Sequence, residues 1–229
     1  MKDSKMSEVN QKTLRIAAED FLYLLDRSYP RKAGLQLVGN RYNLNALHRE
    51  VLHRGVFARK EARERRYRLV DIGRLVDFKL LVDGHNVLIT VESGLAGRLL
   101  IAANDGLFRD VAGVSHRYRI STLTHEAIEA IFRILQEYPP KETLFFLDAP
   151  IRQSGELAAA LRSAMNKCSL SGGAQALKVP EIRLKGGEDV IASSDSAVLD
   201  EVQKGFDLAA AVIKSLPRRI NLIDFTSLG

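Results

Sequence analysis

Residues 80–90 read LLVDGHNVLIT, and this stretch decides the fold. An apolar run stops at Asp83, Gly84, His85 and Asn86 follow, and apolar residues then resume. A continuous apolar run of this length marks a buried strand, here one that stops at a carboxylate. Gly84 lets the chain leave the sheet at a sharp angle. Asp83, His85 and Asn86 are then presented at the carboxyl end of the strand, where ligands gather in open α/β sheets.

Downstream, strand-like and helix-like segments alternate. Residues 99–103 read as a short strand, and Asn104-Asp105-Gly106 as a turn with Asp105 in a surface pair with arginine. Residues 122–138 form a helix with Ala127, Ile128, Ile131, Ile134 and Leu135 near one face, stopped by Pro139-Pro140. TLFFL at 143–147 is a strand ending at Asp148, and a helix follows from Ser154. Ser171-Gly172-Gly173 reads as a loop, residues 179–184 as a short strand, and 189–192 as a buried strand running on to Asp195. Ser196 is a candidate cap for a helix carrying Val198, Leu199 and Val202, and residues 207–216 make another helix, stopped by Pro217. A last strand at 220–223 ends at Asp224, read as structural. Strands separated by helices argue for an α/β fold with a mostly parallel sheet covered on both faces.

Three apolar strands thus end near an aspartate: Asp83, Asp148 and Asp195. In a parallel sheet these ends share one edge, where carboxylates repel one another in low dielectric. One aspartate after a strand is ordinary, because Asp caps helices and favours turns. Three on one edge point to a divalent cation among them, and oxygen ligands without Cys or His suit Mg²⁺ or Mn²⁺. The chemistry this serves best is phosphodiester hydrolysis. Asp110 is a further candidate ligand, and Arg109 and Ser194 are candidate substrate contacts. No GxxxxGK[ST] motif occurs, which argues against a P-loop ATPase.

The first third of the chain is different. Residues 8–28, 31–38, 45–53 and 58–68 read as helices, with Gly39-Asn40 as a stop and Asn43 or Asn45 as a cap. Helix, short turn, helix is the order of a helix-turn-helix. Residues 1–79 hold 18 Lys/Arg against 10 Asp/Glu, whereas 80–229 hold 16 against 18. A basic module beside a slightly acidic one fits a polyanion-binding part next to a carboxylate site. Arg31, Arg41, Arg49, Arg54, Arg59, Arg63, Arg65 and Arg66 are available to phosphates, with Arg63 and Arg66 taken as substrate contacts. His48 and His53 read as surface residues. The expected division is a basic helical domain over 1–70 and an α/β domain over 78–229. Cys168 is the lone cysteine, so no intrachain disulfide forms. No apolar run reaches membrane-span length and the polar N-terminus is not a signal peptide, so a cytoplasmic location is expected.

The DGxN motif at residues 83–86 and SSDS at 193–196 resemble the PIN-like nuclease superfamily, with closer likeness to its NYN branch. The whole chain resembles the uncharacterised prokaryotic DUF434-type proteins. The resemblance implies a three-layer α/β/α fold and a Mg²⁺- or Mn²⁺-dependent nuclease acting on RNA, with DNA the second choice. It makes Asp83, Asp148 and Asp195 the metal ligands, with Asn86 and Ser194 beside them. Asp200 stands where a further acid sometimes follows. Glu92 or Asp110 would supply the acid usually offered after the first strand. Residues 98–114 have no counterpart in an ordinary member. The alternative is a non-catalytic RNA- or DNA-binding protein on an inactive scaffold of this type. Oligomeric state is left open, a homodimer included.

Overall fold

The computed structural model describes residues 8–111, 118–185 and 187–228. Four helices come first: α1 (Glu8–Leu25), α2 (Arg31–Arg41), α3 (Ala46–Gly55) and α4 (Arg59–Arg68). Helix α1 buries Leu14, Ala17, Ala18, Phe21 and Leu22, the i, i+3, i+4, i+7, i+8 stripe of an amphipathic helix. The Asn45 side chain caps α3 by accepting the His48 N–H at 2.9 Å. A 3₁₀ turn at Ile72–Asp77 leads into β1 (Lys79–Asp83), and α5 (Gly84–Leu95) starts at the next residue.

The chain continues through β2 (Leu100–Ala102), β3 (Phe108–Asp110), α6 (Thr122–Glu137), β4 (Glu142–Asp148) and α7 (Ser154–Lys167). Then come β5 (Gly172–Leu177), β6 (Val190–Ala192), α8 (Ser196–Leu199), β7 (Gly205–Phe206), α9 (Leu208–Ser215) and β8 (Leu222–Asp224). Five strands form a wholly parallel sheet in the order β5-β4-β1-β6-β7. Strand β1 is central, which carries Asp83 to the middle of the carboxyl edge.

Side chains alternate across this sheet with period two. Leu80, Val82, Phe145, Leu147 and Val190 enter a core shared with α5, α6, α7 and α9. Leu81, Phe146 and Ile191 face the other way, against Leu184, Val198, Leu199 and Leu107. The architecture is three-layer α/β/α, with the second outer layer built from short elements. Helix α5 is buried on nearly every side because it lies between the sheet and two other helices.

A second sheet has the order β3-β2-β8. It is a hairpin joined in parallel by the last strand. Leu100 and Ala102 point into the α/β core, whereas Ile101, Ala103, Ile223 and Phe225 pack with the four helices. Gly55 at the end of α3 lies so close that a Cβ would fall 2.5 Å from Phe225. A continuous core therefore crosses from the basic helices to the small sheet. The second helix of the helix-turn-helix order is packed against β2.

Two local readings are corrected. The stretch read as a loop around Gly172-Gly173 begins the edge strand β5, paired with β4 from Thr143 to Asp148. Gly172 has φ +133°, and a Cβ there would lie 1.8 Å from the Thr143 carbonyl oxygen, so only glycine fits. The run at 179–184 is not a strand; Pro180–Ile182 is a 3₁₀ turn. Proline removes an N–H that a ladder would use. Among the described residues, no helix is long and apolar enough to cross a membrane.

Candidate functional site

Asp83 ends β1, and Gly84 lets α5 begin flush against β4. A Cβ at Gly84 would sit 2.5 Å from Leu147 and 3.0 Å from the Phe146 carbonyl oxygen. His85, fully buried, is thereby pressed onto the end of β4, where its Nδ1 accepts the Asp148 backbone N–H at 3.0 Å. One Asp148 carboxylate oxygen lies 3.1 Å from the same nitrogen. His85 Nε2 has no hydrogen-bond partner among the described residues, and the ring meets Tyr118 edge-on. Asn86, one residue on, accepts both the backbone N–H (2.8 Å) and the hydroxyl (3.0 Å) of Ser194 on its Oδ1. That bond fixes the exit of β6 beside β1.

Ser193 donates its hydroxyl to Asp83 at 2.9 Å and accepts the Asp195 N–H at 3.1 Å. Asp195, rather than Ser196, caps α8 by accepting the Ala197 N–H at 2.9 Å. Asp83, Asp148 and Asp195 all line one recess of about 320 Å³, with Asn86, Pro150 and Glu181 among the other walls. Burial, helped by the negative charges of Asp148 and Asp195, pushes the Asp83 carboxyl up to about 7. The Ser193 hydroxyl and the Asn86 backbone N–H act the other way without prevailing.

The donors here are carboxylate and hydroxyl oxygens, which suit a hard cation. Among the described residues, no three acidic, His or Cys side chains close into a coordination shell. What the recess offers is one or two carboxylates with room for water, the manner in which Mg²⁺ is commonly held. A raised carboxyl with like charges around it is also the environment that a cation would relieve.

A second recess, of about 590 Å³, shares Asn86 and Asp195 with the first. Its far wall comes from the helical module. Phe57, after α3, is clamped by the Asn104 amide, which accepts the Phe57 N–H (2.9 Å) and donates to its carbonyl (2.8 Å). Three guanidinium carbons surround its ring, those of Arg31, Arg65 and Arg109, at 4.7, 4.3 and 4.7 Å from the centroid. Arg109 forks onto Asp105 with two bonds of 2.8 Å and donates its Nε–H to the Ser194 carbonyl at 2.7 Å. Arg65 reaches the same Asp105 at 3.1 Å and forks onto Asp200 at 2.6 and 2.8 Å. Burial alone would raise the Asp105 carboxyl, but the charges of Arg109 and Arg65 outweigh it and hold it below the usual range. Asp105 is therefore a buried counter-ion, not part of a surface pair.

The candidate residues fall into distinct places. Asp83, Asn86, Asp148 and Asp195 share the carboxylate recess. Arg109, Asp110 and Ser194 line the arginine recess, and Asp110 lies 3.5 Å from the Thr90 hydroxyl. Glu92 is buried and accepts the Tyr118 hydroxyl at 2.8 Å. Arg63 is exposed on α4, and Arg66 donates to the Asn104 carbonyl at 2.5 Å; neither lines either of these two recesses. The helical residues that do include Arg31, His53, Phe57 and Arg65. For Arg65 a signal existed: Ala62 and Arg65, three apart, are the buried positions of the otherwise polar α4. His48, read as surface, is buried under α3, whereas His53 is exposed at the recess.

The family described as "Protein of unknown function (DUF434)" matches residues 13–68, and "Domain of unknown function (DUF5616)" matches residues 72–211. The two matches meet between α4 and the 3₁₀ turn before β1. "Uncharacterized protein MJ0935" of Methanocaldococcus jannaschii is 33% identical over 208 residues, covering 89% of this chain and 98% of that protein. No solved structure matches. The chain thus belongs to the family defined by the DUF5616 domain, carried here behind a DUF434 helical module.

Proposed function

We propose that this chain is a metal-dependent nuclease that hydrolyses RNA phosphodiesters at the carboxylate recess. The observation that carries the reading is the convergence of Asp83, Asp148 and Asp195 from three strand exits on one recess, with Asp83 left without a cationic partner among the described residues. The resemblance of DGxN and SSDS to PIN-like nucleases supports the same reading. Mg²⁺ or Mn²⁺, when bound, would supply Lewis-acid stabilisation of the phosphoryl oxygens. Asp83 and Asp195 would hold it, with Asp148 positioned by His85. Asn86 and Ser194, locked to each other, would keep the β1 and β6 exits at fixed separation. The basic helices would counter the charge of the strand.

The test is cleavage of a mixed pool of single-stranded and structured RNA with Mg²⁺, Mn²⁺ or chelator, comparing wild type with Asp83→Asn/Asp195→Asn. Metal-dependent cutting, lowered at least about a hundredfold in the double variant, is expected. A second reading, binding without cutting, is favoured by the open spacing of the carboxylates. RNA retention by a folded wild type that cuts under no metal condition would select it. Cutting unchanged in the double variant would discard the site.

A further inference from the structure

The cations around Phe57 are not equally satisfied. Arg65 and Arg109 each hold a carboxylate within 3.1 Å, and Arg54 holds Glu50 at 2.6 Å. Arg31, half-buried at the start of α2, makes no ion pair among the described residues. It donates instead to the carbonyl oxygens of His53 and Val56, and through Nε to the His53 ring. Its Nη1 makes no hydrogen bond among the described residues. Burial draws this guanidinium down to about 10, with Glu61 opposing the shift from beyond ion-pair distance. A half-buried cation that makes no ion pair gains from an anion that arrives to meet it. The recess it lines lies within the about 300–1,000 Å³ usual for small-ligand sites, and it adjoins the carboxylate recess through Asn86 and Asp195.

We propose that this recess, lined by four arginines and four carboxylates, binds the terminal phosphate of a nucleotide chain, with Arg31 as the residue that receives it. The proposal rests on the phosphodiesterase reading and adds which part of the substrate is gripped. A terminal monoester carries close to two negative charges and three free oxygens, against one charge and two free oxygens for an internal diester. The Arg31 guanidinium, which makes no ion pair among the described residues, with those of Arg65 and Arg109 at the same Phe57 ring, favours the doubly charged end. An end held there sets an adjoining phosphodiester beside Asp83. The helical module is then a wall of the substrate site and measures the distance from the chain end to the cut.

The experiment is fluorescence anisotropy of short single-stranded RNA carrying a 5′-phosphate, a 3′-phosphate or hydroxyls at both ends, bound to the full chain in chelator. Wild type is expected to bind one phosphate-ended strand roughly tenfold or more tighter than the hydroxyl strand. Inorganic phosphate is expected to erase that difference. Arg31→Gln should abolish the preference and leave hydroxyl-strand affinity within about twofold, while Asp83→Asn should keep the preference. Equal binding of all three strands by wild type overturns the proposal even if Arg31→Gln fails to fold. So does a preference that folded Arg31→Gln retains. End preference without any cleavage keeps this site and discards the nuclease reading; cleavage without end preference does the reverse.

Discussion

Asp83, half-buried, and Asp105, fully buried, are one side-chain type in two settings, and their surroundings drive them in opposite directions. Asp105 lies between two guanidiniums and stays ionised below the usual carboxylate range. Asp83 faces two other carboxylates and a serine hydroxyl, and is pushed up to about 7. The first arrangement is finished: Arg65, Asp105 and Arg109 tie α4 to the hairpin of the small sheet. The second is open, since its negative charge has no cation beside it among the described residues. The chain itself closes the charge of Asp105, whereas the proposed cation would close that of Asp83.

The largest effect should come from breaking the closed cluster. Asp105→Ala leaves two buried guanidiniums without their shared acceptor, and a loss of about 3–5 kcal/mol in denaturant unfolding is expected. Asp200→Ala, at the half-exposed end of the same network, should lose about 1 kcal/mol or less. Equal losses for the two variants would show that burial of Asp105 is not what makes the cluster strong.

The open site should respond with the opposite sign. Folded Asp83 keeps its proton up to about pH 7, whereas the unfolded carboxyl releases it near 3.8. Stability therefore falls as pH rises between these values, and the deficit is complete above about 7. Asp83→Asn removes the deficit. It should be more stable than wild type by about 1–3 kcal/mol at pH 8, a gap that narrows towards pH 4. Asp105 works the other way: its lowered pKa contributes stability above 3.8 that is lost on further acidification. A wild type more stable than Asp83→Asn at pH 8 would contradict the assignment of Asp83 as an uncompensated carboxyl.

The smallest expected effect sharpens the same contrast. Mg²⁺ or Mn²⁺ at ten times its Kd should add about 1.4 kcal/mol to wild type at pH 8, read as a rise in Tm. Asp83→Asn should show none of it. An equal rise in both would place the cation elsewhere.

Much of this was legible in residue order, and the failures have local causes. The helices α1 to α4 were announced by amphipathic spacing, Asn45 and glycine stops, and β1 and β4 by apolar runs ending in aspartate. Strand β5 was missed because GGAQAL has little strand preference of its own; it is extended because β4 pairs with it. The apolar run after Gly84 shows no helical face because α5 is buried on nearly every side. Residue order does not separate Arg31 and Arg65 from Arg63 and Arg66, because it shows that arginines are abundant and not which way they point.

What residue order by itself determined is the set of elements and the carboxylates at their ends, since propensity, capping and apolar period act over a few neighbouring positions. The partners were set by packing in three dimensions. It brought Asp105 between Arg65 and Arg109, left Arg31 without an ion pair among the described residues, and set Asp83 among like charges. Burial and Coulomb interaction depend on distance in space, and residues 40 to 110 positions apart come within hydrogen-bond reach only once the sheets and helices have packed.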